Sequence, residues 1–166
     1  MAIDRGGSRV NVLFVCEDNS ALSIMAESIL KSVAPGRFGS FSAGCFPKAS
    51  VNHYVIDFLV KHHMPVAGLR TKALEDFRSS LAVRAHFIIT LCDVAGSEHF
   101  SDWPGEPFIA HWNIQSDGDD ADTDEALRDS FWTLMRRIKI FASLPQGKLS
   151  RRLLQQRALT LEPSYF

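Results

Sequence analysis

The chain has only three cysteines in 166 residues, too few and odd in number for the disulfide framework of a small secreted domain. No run approaches the ~20 consecutive apolar residues that a membrane-spanning helix needs. Charge of neither sign dominates, the formal net charge being −1, so nothing in the balance asks for nucleic acid or a charged membrane as partner. Residues 1–9 carry Asp4, two arginines and a Gly-Gly pair without an apolar core, which is not how a secretory leader is composed. Internal repeats and low-complexity blocks are missing as well. These absences predict a cytoplasmic protein with reduced thiols. What is present, 46% hydrophobic and 22% charged residues, fits a soluble globular domain. The length suffices to bury roughly two-thirds of the unfolded surface. Residues 1–9 are expected to form a flexible tail, and residues 10–166 a single domain.

The densest signal is Val10 to Glu27, VNVLFVCEDNSALSIMAE. Val12 to Cys16 is an unbroken apolar run, the mark of a strand buried on both faces. A polar loop follows at Glu17-Asp18-Asn19-Ser20, and then a helical pattern from Ser20 to Val33. A strand feeding a helix through a short loop gathers backbone N–H groups and the positive helix end around one point, an anion site. Cys16 opens that loop, where the helix terminus favours an exposed thiolate. Glu17 and Asp18 act against this. If they face the site they repel a dianion and raise the Cys16 pKa; if they turn outward they are solvated.

The alternation continues. Phe38–Ala43 reads as a strand ending at Gly44, and Asn52 as the N-cap of a helix reaching His62. A short helix is predicted at Leu74–Phe77, with strands at His86–Leu91 and Phe108–Trp112. A long helix over Asp124–Ser143 starts acidic and ends basic, as its macrodipole favours. A last helix covers Leu149–Leu161. Strand–helix alternation predicts an α/β fold, three layers with a parallel sheet covered by helices on both faces. Ligands in such folds sit at the carboxyl ends of the strands. Cys16, Gly44-Cys45, Cys92 and Trp112 mark those ends, so all three cysteines fall on one edge of the sheet.

Four segments in order resemble the low-molecular-weight tyrosine phosphatases and the related thiol-coupled arsenate reductases, most closely the second branch. VLFVCEDNSALSIMAE at Val12–Glu27 resembles the phosphate loop and its helix. FSAG at Phe41–Gly44 resembles the end of the second strand. LCD at Leu91–Asp93 with WPGEP at Trp103–Pro107 resembles the redox loop, and AHW at Ala110–Trp112 the entry to the acid-bearing loop. The resemblance implies a four-stranded parallel sheet in the order 2-1-3-4. It makes Cys16 the nucleophile, the loop backbone of Glu17, Asp18, Asn19, Ser20, Ala21, Leu22 and Ser23 the anion cradle, and Cys92 the first resolving thiol. At three positions the chain departs from the family pattern. Leu22 stands where the oxyanion-binding Arg belongs, Phe100 where the second resolving Cys belongs, and Ser116 where the catalytic Asp belongs. Asp117 supplies the acid if the loop shifts by one residue. Cys45 is a candidate stand-in for the missing thiol, or a small packed residue under the loop. For the absent Arg, Arg70 and Arg84 are the candidates.

A planar guanidinium matches a tetrahedral dianion in a way no Leu can. Losing such a partner at a desolvated anion costs about 2–5 kcal/mol. One reading is therefore a binding or regulatory module, with a small oxyanion, a neutral ligand between Leu22 and Ile24, or a protein as partner. A second is an active reductase or phosphatase built on Cys16 and Cys92; the reductase form would draw on thioredoxin or glutaredoxin as reductant and on no bound cofactor. A third is a thiol sensor in which Cys16 and Cys92 form a reversible disulfide.

Other features are read as structural. The acidic run from Asp117 to Glu125 lacks calcium-loop spacing. His53, His62 and His63 lack supporting ligands and are expected on the surface, so no metal is expected. Trp103, Trp112 and Trp132 are expected to pack in the core or at its rim. Lys148, Arg151, Arg152 and Arg157 lie on a basic amphipathic helix expected to pack against the sheet or a second subunit.

Overall fold

In the computed structural model, residues 9–79, 82–114 and 123–144 are described. Residues 1–8 of the expected tail, Asp117 and the expected helix at Leu149–Leu161 lie outside these residues, as do the basic residues of that helix. The element order is β1 (Val10–Cys16), α1 (Leu22–Val33), β2 (Phe38–Gly44), α2 (His53–Lys61), a 3-10 turn (Leu74–Phe77), β3 (Phe87–Thr90), α3 (Asp93–Gly96), β4 (Phe108–His111) and α4 (Asp124–Ala142). The four strands form one parallel sheet in the order β2-β1-β3-β4, as expected.

β1 is central, and its alternation sorts the two faces. Val12, Phe14 and Cys16 point into a large cluster roofed by α1, α2 and α4, where Ile24, Ile29, Leu59, Phe131, Leu134 and Ile138 are buried. Leu13 and Val15 point into a smaller cluster closed by Leu74, Ala95 and Trp103. The two helical layers are thus unequal. Among the described residues, the second face is covered by the 3-10 turn, the one-turn helix α3 and Trp103, because no amphipathic stripe long enough for a full helix falls between β2 and β4 except α2.

Register brings the chemistry to one edge. Cys16 pairs with Gly44, Val15 with Thr90, and Thr90 with His111, so all four strands end side by side. The helix ends follow their capping residues. Asn52 Oδ1 accepts the Tyr54 N–H at 2.9 Å, and Thr123 Oγ1 accepts that of Ala126 at 3.2 Å. α1 begins at Leu22 rather than Ser20 and has no side-chain cap, since residues 17–21 are held in a loop.

Two surface expectations change. Trp103 and Trp112 are buried, but Trp132 is 51% exposed and meets Phe131 edge-on at 5.2 Å. His62 is half-buried, its ring lying 4.3 Å from Phe58 and 5.3 Å from Phe131. Among the described residues no helix is long and apolar enough to cross a membrane.

Candidate functional site

The loop from Cys16 to Leu22 is anchored from outside by its carbonyls. Those of Cys16, Glu17, Asp18 and Ser20 accept N–H groups of Cys45, Phe46, Lys48 and Asn52 at 2.7–3.1 Å. Gly44 is what lets this segment approach: a Cβ there would meet Asn19 N and Asp18 C at 2.9 Å each.

Asn19 organises the interior. It is fully buried and turns the chain at φ +52°, a left-handed conformation that Asn tolerates better than most residues. Its Nδ2 donates to Ser23 Oγ at 2.8 Å and to Ser42 Oγ at 3.0 Å. Its Oδ1 accepts the Lys72 N–H at 2.8 Å, and its own N–H points at Cys16 Sγ at 3.3 Å. Ser23 Oγ lies 2.8 Å from Cys16 Sγ; with an Asn19 hydrogen already on its oxygen, the Ser23 hydroxyl proton is free for the sulfur. Behind this layer, Ser42 Oγ donates to Glu27 Oε1 at 2.8 Å. Glu27, buried on α1, is paired with Lys31 at 3.0 Å and Lys72 at 3.3 Å. Asn19 and Ser23 were legible as loop residues. Ser42, Glu27 and Lys72 were not.

Cys16 is 4% exposed. Burial pushes its thiol above the ordinary value of 9.0, outweighing the hydrogen bonds from Ser23 and Asn19, and the Asp18 charge adds a smaller push upward. The expected exposed thiolate is thus corrected: the helix terminus and hydrogen bonds favour the anion but desolvation wins. A raised thiol pKa depletes the reactive thiolate at neutral pH. Iodoacetamide should therefore alkylate Cys16 slowly at pH 7, and the rate should still be climbing beyond pH 9. A plateau below pH 9 would contradict this. The unfolded thiol ionises first, near 9.0, so the stabilisation from this group is full below pH 9 and is lost as pH rises through the folded value.

Glu17 is exposed. Asp18 is turned to Lys48, 3.1 Å away, and also takes the Ser20 N–H on Oδ1 at 3.1 Å. These two contacts hold its carboxyl below the usual range against the opposing effect of burial. Of the two carboxylates, Asp18 therefore bears on the site mainly by occupying a loop amide. Ala21 and Leu22 are half-buried and pack against the large core cluster. Ile24 is fully buried and cannot line an open pocket with Leu22. Neither candidate for the absent Arg contacts the loop among the described residues. Arg84 sits at the opposite end of the sheet, donating to the Gly105 carbonyl at 3.3 Å. Arg70 lines a cavity beside β2.

The three cysteines are free and converge as the sheet edge predicts. Cys45 is half-buried, and its thiol is pushed up to about 12, chiefly by burial and then by the charges of Glu98, Cys92 and Cys16 around it. Cys92 caps α3 and packs against both clusters. Phe100 lies in the smaller cluster with Cys45 and Cys92, its ring 5.6 Å from that of Trp103.

The model of the low molecular weight phosphotyrosine protein phosphatase family matches residues 11–104. A sequence comparison with curated proteins gave no match. Solved structures do match in fold. An arsenate reductase in its phosphate-binding state is 22% identical with a TM-score of 0.67, the alignment covering 84% of this chain and 98% of that one. The arsenate reductase of Archaeoglobus fulgidus is 24% identical with a TM-score of 0.60, over 79% and 98% of the two chains. The tyrosine phosphatase amsI of Erwinia amylovora is 18% identical with a TM-score of 0.60, over 85% and 97%.

Proposed function

The chain belongs to the low molecular weight phosphotyrosine protein phosphatase family, and on that premise we propose that it is a divergent member with lost or strongly reduced oxyanion chemistry, acting as a binding or regulatory module. The observation that carries this reading is Leu22. The position that needs a guanidinium holds an aliphatic side chain packed on the core, so the loop has no planar cation to clamp a dianion. Two further features support it. The Cys16 thiol is held protonated by burial, and Asp18 already occupies the Ser20 N–H. What remains is a shaped, anchored loop. A neutral ligand or a protein surface suits it better than arsenate or a phosphoester.

The grouping of the thiols favours a second reading, an arsenate reductase. In it, Cys16 attacks arsenate, Cys92 closes a disulfide with Cys16 as arsenate takes two electrons and leaves as arsenite, and Cys45 stands in for the missing thiol. A thioredoxin or glutaredoxin would then reduce the disulfide. Cys45 within electrostatic reach of both other sulfurs supports it. Turnover separates the two readings. The first predicts no arsenite formation with thioredoxin or glutaredoxin, and p-nitrophenyl phosphate hydrolysis no faster than in Cys16→Ser. Reduction abolished by Cys16→Ser and weakened by Cys45→Ser would establish the second.

A further inference from the structure

Beside β2, on the far side of Glu27 from the loop, lies a cavity of about 460 Å³ whose lining includes Arg9, Lys31, Arg70, Lys72 and Glu27. Four cations face one carboxylate, a formal excess of three positive charges. Glu27 is already committed to Lys31 at 3.0 Å and Lys72 at 3.3 Å, and no ion pair is formed by Arg9 or Arg70 among the described residues. Lys72 registers the crowding: burial foremost, then the charges of Arg70 and Lys31, pull its ammonium below the ordinary range despite Glu27. Like charges held together around a concave space are unfavourable by themselves and become favourable when an anion enters. One tetrahedral anion would neither fill the volume nor balance the charge. β2 is also the edge strand of the sheet, and its Phe38, Ser40 and Phe41 form part of the cavity wall.

We infer that this cavity is an effector site for a compact polyanion, two or more phosphate groups in a row, free or carried by a nucleoside. Its link to the thiol is a continuous chain of hydrogen bonds. Lys72 Nζ lies 3.3 Å from Ser42 Oγ and from Glu27. Ser42 accepts from Asn19, and Asn19 donates to Ser23, which lies 2.8 Å from the Cys16 sulfur. A polyanion that draws Lys72 toward itself loosens this chain at its outer end. This inference does not depend on whether the loop retains oxyanion chemistry.

The test is titration calorimetry of metal-free tripolyphosphate and ATP into the reduced full chain at low salt, with Cys16 alkylation followed by mass spectrometry with and without ligand. Wild type should bind, Arg9→Gln and Arg70→Gln should each weaken binding about tenfold or more, and the ligand should slow Cys16 alkylation in the wild type, because the Ser23 and Asn19 hydrogen bonds that favour its thiolate are loosened. Equal affinity for the two ligands means that phosphates alone are read; tighter binding of ATP assigns a nucleotide. Both arginines are exposed, so the variants should fold. No binding by wild type, or undiminished binding by both variants, would overturn the site. Binding with unchanged alkylation would overturn the effector role.

Discussion

Leu22→Arg is expected to raise the affinity of the reduced protein for arsenate or phosphate by on the order of 30-fold to several thousandfold. The range follows from the about 2–5 kcal/mol that a charged partner contributes at a desolvated anion. Leu22 is the first residue of α1 and only half-buried, so a longer polar side chain can leave the core without opening a cavity. The gain should still stop short of a complete oxyanion site. Asp18 keeps the Ser20 N–H, and burial keeps Cys16 protonated. Pairing Leu22→Arg with Asp18→Gly should therefore bind more tightly than Leu22→Arg alone. Titration calorimetry of the two variants against wild type measures both steps. An unchanged affinity in Leu22→Arg would mean that the loop is misshapen rather than uncharged.

The second large effect is on stability. Glu27→Ala should destabilise the fold by about 3–5 kcal/mol, the range seen when one partner of a buried ion pair is removed. The Lys72 side chain is 9% exposed; without Glu27 its ammonium keeps, among the described residues, Ser42 and the Arg70 carbonyl. Ser42 loses its acceptor as well. Against total stabilities of about 5–15 kcal/mol this is a large share. Lys72→Met should cost less, because Glu27 retains Lys31 and Ser42. Denaturant midpoints give both numbers. A loss under about 1 kcal/mol for Glu27→Ala would show that the network is ornamental to the fold.

The sheet was legible because its signal is local. Val12–Cys16 is apolar without interruption, and a strand buried on both faces has to be. The convergence of Cys16, Cys45 and Cys92 followed from topology alone, since each comes at or just after the end of a strand in one parallel sheet. What could not be read depends on distant partners. Glu27 looks like an ordinary helix-forming residue until β2 delivers Ser42 and the chain returns with Lys72. The state of Cys16 was misjudged for a related reason: helix termini and acidic neighbours are visible in sequence, whereas the burial that dominates its pKa is made by the packed whole. α1 starts two residues late because the carbonyls of residues 16, 17, 18 and 20 bond to the segment after β2. Trp132 was misplaced because successive residues of a helix point about 100° apart, so the stripe of α4 that buries Phe131 turns the next residue outward.

The most direct test of the loss of oxyanion chemistry is a calorimetric titration of arsenate, with phosphate alongside, into the reduced wild-type protein at neutral pH. Oxyanion capture precedes both reactions of the family, so one experiment addresses both. Leu22 and the occupied Ser20 N–H predict no binding at the loop at millimolar concentrations. Any weak heat from the basic cavity should vanish in Arg9→Gln and Arg70→Gln. Arsenate binding at millimolar affinity or better that survives those two substitutions would contradict the account, and would mean that the loop captures its anion without the missing arginine.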